Sequence, residues 1–518
     1  MQKQYLGPVA PQERIQTIDI IRGFALLGIT IVNFTVDNPG VSPTEGRTGI
    51  ADQFAYWPIK FFLDDKFMAI YCFLFGLGFS IQMLGAEARG SSFVVMYMRR
   101  LIGLALIGAA ATILISGRSV LYDYALLGVL LLLLHKLNKK IILVLAILCV
   151  LIPWTRSTLN GIRTEQQFNS RTEIAVDSKV LDMYVGVYMA NNSRLVLIKK
   201  GNKLIGEGPA RQFNLTALSD TEFIRKDLNN IFTFMKDSTG MVSKLIILRP
   251  DGKKTIVPKI KTDLAQALKE QLQQRASNIR GQESYRQGVV KRARGFGDEF
   301  KHWSSMQRFF WNNIGDVLAI FLLGLYAGRR RIFYEISTNQ NFLRNVMRWG
   351  FLLGICGVTI SLGFDAWNYI NGINPESYSY LTRALRGSLG LSWKFGVILM
   401  ALAYVAGLTL LLENINWKKR LSFLAPVGRM GLTNYILQLI VLALFFQGLN
   451  NPDKFGPFWR TIFAFIVFAL IVIISRLWFK YFKMGPLEWL WRSLTYLKFQ
   501  PMKLKASDEN SKPETMNI

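Results

Sequence analysis

In the run IDIIRGFALLGITIVNFTV, Asp19 and Arg22 stand three residues apart, and Asn33 follows Arg22 after eleven more, almost three helical turns. On a helix all three share one stripe. At about 1.5 Å per residue the run crosses most of a bilayer, where ionisable groups are costly and face protein or a cavity. Such a stripe is a functional-site candidate.

By expected depth, the other polar residues of the apolar runs fall into two groups. Asn33, Lys66, Asp123 and Asp316 lie toward the outer side. Two carboxylates and a lysine in low dielectric shift one another's protonation, so they either supply a base or steer an anionic acceptor, or else form a structural ion-pair network. Asp19, Arg22, Arg429, Thr433, Asn434, Gln438, Glu488 and Arg492 lie toward the inner side. Arg429 with Thr433, and Asn434 with Gln438, are i,i+4 pairs that form a polar ridge. Arginines at a span's cytoplasmic end suit a phosphate-bearing group such as coenzyme A or a lipid headgroup, with snorkelling and helix packing as the alternative. Glu488 and Arg492, flanked by Trp489 and Trp491, read as an interfacial helix.

The chain has two histidines. His135, in LLLLHKLNKK, reads as a helix end. His302, in FKHWSSMQRFFW, is the one histidine expected at the outer face, either an aromatic-belt residue or a general base. Cys72, Cys149 and Cys356 all fall in apolar runs, and no Walker A, HExxH, GxSxG or Cys/His metal spacing occurs. No metal is expected.

These residues are positioned by membrane helices. With 51% hydrophobic residues in 518, the chain is too apolar for an ordinary soluble enzyme. Its net charge of +28 reflects Lys and Arg in short loops, which set topology and meet anionic headgroups, so nucleic acid is not an expected partner. About ten spans are expected, near 18–36, 59–84, 101–117, 119–136, 141–158, 308–328, 346–368, 390–412, 428–449 and 459–480. The first run lacks a cleavage signal and is expected to stay as the first span. With basic clusters on one side, both termini are cytoplasmic in a bacterial plasma (inner) membrane. The expected division is a five-span bundle over 1–158, an extracytoplasmic insert over 159–305, a second bundle of five spans and the interfacial helix over 306–500, and a disordered tail over 501–518. Within the insert, 179–262 alternates like a meander of β-hairpins, and a helical stalk follows.

The runs RIQTIDIIRGFALLGITIVNF, DDKFMAIYCFLFGLGFSIQ, APVGRMGLTNYILQ and GPLEWLWRSLTY resemble the YeiB family of bacterial inner-membrane proteins, whose C-terminal half is a domain of unknown function. Through Ile18–Gly23 that family is distantly similar to transmembrane acyltransferases, the acyltransferase 3 group and the lysosomal heparan glucosaminide acetyltransferases among them. The insert from Leu181 to Tyr188 (LDMYVGVY) resembles the lipocalin-like β domain appended to penicillin-binding-protein-type serine hydrolases. The acyltransferase similarity implies a cytoplasmic acyl-CoA donor, a cell-envelope glycan or lipid acceptor, and a histidine base. Asn33 stands where that histidine is expected, and Phe54-Ala55-Tyr56-Trp57 lacks the histidine expected before the tryptophan. Asn cannot accept a proton near neutral pH.

The expected fold is thus an α-helical polytopic membrane protein of about ten transmembrane helices with a small inserted antiparallel β domain. The expected function is acyl transfer, with Arg22, Arg429 and Asn434 holding the donor and Asp123, Asp316 or His302 as the catalytic group. Asp19, Asn33, Lys66 and Gln438 complete the substrate-binding set. A transporter and a noncatalytic lipid or quinone binder are the other readings, with membrane lipids as partners and a homodimer open.

Overall fold

A computed structural model describes residues 15–36, 49–88, 93–116, 119–169, 174–190, 193–208, 212–225, 230–249, 254–280, 285–301, 317–370, 380–448 and 455–504. The chain divides into two compact units, one helical and one built around residues 156–284.

The helical unit opens with α1 (Gln16–Thr35), α2 (Ile50–Phe62), α3 (Lys66–Ala88) and α4 (Phe93–Ala111). A π-helical turn (Thr112–Ser116) ends α4, and α5 (Val120–Leu134) and α6 (Lys139–Asn169) follow. Six described helical segments are long and apolar enough to cross a membrane: Gln16–Thr35, Ile50–Glu87, Phe93–Ile115, Gln340–Trp367, Leu389–Leu411 and Pro457–Tyr481. They match six of the expected spans. Val120–Leu134, Ala319–Arg329 and Gly431–Phe445 are shorter apolar helices at three others. The run near 141–158 falls inside α6, which continues to Asn169.

After the β unit the helical unit resumes with α9 (Tyr285–Lys301), α10 (Ala319–Arg329), α11 (Gln340–Ile370) and α12 (Tyr380–Leu411), α8 belonging to the β unit below. It ends with α13 (Ile415–Leu421), α14 (Leu424–Arg429), α15 (Gly431–Gly448), α16 (Pro457–Tyr481) and α17 (Pro486–Tyr496). The span expected over 428–449 is therefore split, because Met430 leaves helical geometry at φ −103° and ψ 30°. The i,i+4 ridge from Arg429 to Thr433 does not form: Arg429 ends one helix and Thr433 begins the next.

Close backbone approach explains that short helix. A Cβ on Gly428 would overlap the Asp19 carbonyl oxygen, and one on Gly23 would overlap the Leu424 carbonyl oxygen. Only two glycines facing each other let α14 sit this near α1. Around this contact Ile20, Ile21, Ala25 and Leu26 of α1 are fully buried with Val427.

The second unit holds eight antiparallel strands: β1 (Gly186–Ala190), β2 (Ser193–Lys200), β3 (Lys203–Glu207), β4 (Gln212–Ala217), β5 (Glu222–Arg225), β6 (Asn230–Lys236), β7 (Val242–Leu248) and β8 (Lys254–Ile260). They form a closed barrel in sequence order, with β1 pairing β8. Closure removes every sheet edge. Alternate residues such as Phe213 and Leu215 turn inward, and Tyr188, Phe223, Phe232 and Phe234 fill the interior as a packed core. The helix α7 (Ser178–Tyr184), at a point expected to be strand, contributes Leu181 and Tyr184 to that core, and Tyr184 donates to the Asp220 carbonyl. Asp177 caps α7 by accepting from Lys179 N at 3.0 Å. On the outside, Ala267 of α8 (Leu264–Arg280) packs against Val187 and Val196.

The expected stalk is two helices with different allegiances. The second, α9, belongs to the helical unit. Arg292 donates to Ile113 O at 2.8 Å and Tyr285 to Leu114 O at 3.0 Å, so α9 occupies carbonyls that the π turn leaves exposed.

Candidate functional site

Within the helical unit a cavity of about 210 Å³ lies between α1, α3, α4, α5, α14, α15 and α17. Toward one end stand Arg22, Arg100, Arg429 and Arg492, with Glu488. The other end is apolar, with Ile29, Met68, Val120 and Leu121. From Met68 to Gln82 the wall follows α3 for about 21 Å at 1.5 Å per residue. The site is thus two-ended: cationic head, apolar body.

Each charged group is fixed by its neighbours. Arg22 pairs with Asp19 at 3.2 Å and reaches the Gly428 carbonyl at 3.5 Å. Asp19 is buried, so it anchors the guanidinium from beneath. Arg429 donates to Lys483 O at 3.3 Å and sits 4.1 Å over the ring of Phe479. Arg100 lies 3.9 Å over Trp491, whose indole N–H donates back to Arg100 O at 2.7 Å. Among the described residues, four arginines against the Glu488 carboxylate and the Asp19 carboxylate paired to Arg22 leave a net positive field that favours an anion.

Glu488 organises that end. Its carboxylate accepts from Leu432 N at 2.7 Å, Thr433 N at 3.1 Å and Thr433 Oγ1 at 2.6 Å, capping the first turn of α15. A carboxylate at a helix N-terminus is favoured by the dipole and by the free N–H groups. Burial nevertheless raises the Glu488 carboxyl above its ordinary value, against the pull of the Thr433 and Leu432 donors.

Of the residues expected from sequence, Arg22 and Arg429 line this cavity together with Glu488 and Arg492. Asn434 and Gln438 are not among its lining residues. Asn434 donates to Val427 O at 3.0 Å and Ser475 Oγ at 2.9 Å, and Gln438 to Leu26 O at 3.5 Å, so both tie α15 to its neighbours. Asn33 and Asp123 are half-buried and also outside the lining. His302 and Asp316 lie outside the described residues. His135 caps the end of α5 and takes an Arg329 donor on its carbonyl at 3.3 Å.

Lys66 belongs to a separate cluster at the break between α2 and α3. It is fully buried, donates to Lys60 O at 3.3 Å and sits 3.9 Å from the Trp393 ring centre. Asp64 pairs with Lys60, and Asp65, in left-handed geometry at φ 62°, accepts from Trp393 Nε1 at 3.0 Å. Aspartate tolerates that conformation better than most residues.

Arg100, Gln82 and the phenols of Tyr71, Tyr97, Tyr124 and Tyr435 complete the lining and were not legible as site residues. Arg99-Arg100 reads as a topology signal, and tyrosines in apolar helices read as core. Among the described residues no group of His, Cys, Asp and Glu could hold a metal.

The model described as Protein of unknown function (DUF418) matches residues 327–498, which contribute Arg429, Glu488 and Arg492 to the cavity. The chain carries a DUF418 domain. The chain is also similar to the uncharacterized protein YxaH of Bacillus subtilis (strain 168), 24% identical over 97% of this chain and 99% of that one. An uncharacterized 39.9 kDa protein in the amylase 3′ region of Bacillus acidopullulyticus is 23% identical over 96% of this chain and 99% of its own. The uncharacterized protein YeiB of Escherichia coli (strain K12) is 32% identical over 170 residues, 32% of this chain and 42% of YeiB. No solved structure matches. These DUF418 and YeiB-type relatives supply kinship and no activity.

Proposed function

We propose that the helical unit is a membrane-embedded binding site for an amphiphile with an anionic head and an acyl tail, held as a transmembrane acyltransferase holds its acyl-CoA donor. The observation that carries this reading is the cavity's polarity: four arginines toward one end and apolar side chains at the other. Guanidinium forks match phosphate oxygens, and the apolar end takes the tail. The basic end is read as cytoplasmic because the short basic loops fall on its side of the bundle. The acceptor, a cell-envelope glycan or lipid, would meet the acyl group from the opposite side, and the barrel is read as an extracytoplasmic, lipocalin-like module there.

A noncatalytic lipid or quinone binder is the second reading. It is favoured by the lining, which holds no histidine among the described residues, and by Asn33 at the position where the acyltransferase resemblance expects one.

Native mass spectrometry of the purified chain in lipid nanodiscs tests the donor site. Coenzyme A and hexanoyl-CoA are expected to bind, and Arg22→Gln and Arg429→Gln are each expected to weaken binding about 10- to 100-fold, the worth of one lost charge-assisted hydrogen bond. Wild-type protein that ignores both ligands, or variants that bind them unchanged, would remove the donor reading. Transfer of a labelled acyl group to envelope glycans then separates enzyme from binder.

A further inference from the structure

Resting on the donor reading above, we infer that the cavity admits only a short acyl group, and that Tyr124 and Phe75 set the limit. The volume is about 210 Å³. An apolar cavity of about 150 Å³ holds one benzene, so the whole of this one holds at most roughly eight carbons. A long fatty chain does not fit.

The wall at Phe75 and Tyr124 cannot give way by a rotamer change, because its members brace one another. Phe75 stacks on Phe321 with centroids 4.6 Å apart and planes 22° apart. Tyr124 meets both rings edge-on, at 5.5 Å from Phe75 and 5.2 Å from Phe321. Its hydroxyl donates to Met68 Sδ at 3.3 Å and lies 3.0 Å from Cys72 Sγ. Phe321 is fully buried, and α3 and α10 touch through Gly76 and Gly324, where any Cβ would overlap the facing backbone. Packed interiors resist such displacement. Tyr124 and Phe75 both line the cavity, so together they fix the width that an acyl chain must fit beside them.

The experiment is a chain-length series, coenzyme A and its acetyl, butanoyl, hexanoyl, octanoyl, dodecanoyl and palmitoyl thioesters, measured for affinity in nanodiscs. Affinity should climb about fourfold per methylene, the ordinary worth of burying one, and then break near eight carbons. Phe75→Ala should move the break to longer chains. Val120→Phe, which fills the cavity, should move it to shorter ones, with each variant's thioester affinities read relative to its own affinity for coenzyme A. Affinity that keeps climbing to palmitoyl, or a break that neither variant moves, overturns the length limit. If coenzyme A and all its thioesters fail to bind, the donor reading falls. In that event dihexanoyl against dipalmitoyl phosphatidic acid reads the same limit on a lipid head: preference for the short lipid sustains it and preference for the long one overturns it.

Discussion

Arg22 shows how much one residue of this chain can reveal. A charged residue in an apolar run must face protein or a cavity, and Arg22 does both, pairing with buried Asp19 and lining the cavity. Arg100 shows the opposite case. It stands beside Arg99 at the start of a span, where basic residues ordinarily set topology, and only the fold of α17 brings Trp491 under its guanidinium. Asn434 and Gln438 were legible as buried polar groups, with helix packing and ligand binding both open, since a sequence gives their depth and not the backbone carbonyl they meet. Gly428 is the residue on which the site's geometry turns. Gly428→Ala places a methyl against the Asp19 carbonyl, which α1 cannot move without displacing Arg22. Overpacking of this kind costs about 1–3 kcal/mol. Thermal unfolding in detergent should show the variant destabilised by that amount, with weakened coenzyme A binding. A wild-type melting temperature would mean that α1 and α14 are not in contact.

At the scale of elements, the long helices were readable because hydropathy alone decides them, and Asp64, Asp65 and Lys66 marked the interruption of the second span, but what fixes each break was not. The splitting of α14 from α15 depends on contact with α1, and the α2–α3 break depends on Trp393 taking Asp65, both long-range facts. The amphipathic character of α17 was visible in GPLEWLWRSLTY, but its carboxylate's role as the cap of another helix was not. That role carries a pH signature. Burial raises the Glu488 carboxyl, so the folded state holds its proton more tightly than the unfolded chain, whose glutamate titrates near 4.5. Its contribution to stability is therefore fully present below that value and is lost as pH rises through the raised one. Melting temperatures measured from pH 4 to 8 should fall with rising pH more steeply for wild type than for Glu488→Gln, which stays neutral throughout. Parallel curves would show that Glu488 is solvated and that α17 does not seat on α15.

At the scale of the whole molecule, the alternation in residues 179–262 disclosed a β domain, and the structure adds its closure, which no local pattern encodes because β1 and β8 pair across the whole unit. The same closure makes the unit self-sufficient: every strand is paired on both sides, and its core is filled by its own residues and α7. The helical unit is accordingly expected to fold without the barrel. A chain in which residues 171–284 are replaced by a short Gly/Ser linker should insert, melt cooperatively and bind coenzyme A like wild type, because every cavity-lining residue lies outside that stretch. Expressed separately, 171–284 should give a β-type circular dichroism spectrum and a single cooperative unfolding transition. If the shortened chain aggregates or loses the ligand, the barrel is part of the membrane unit's stability and not an addition to it.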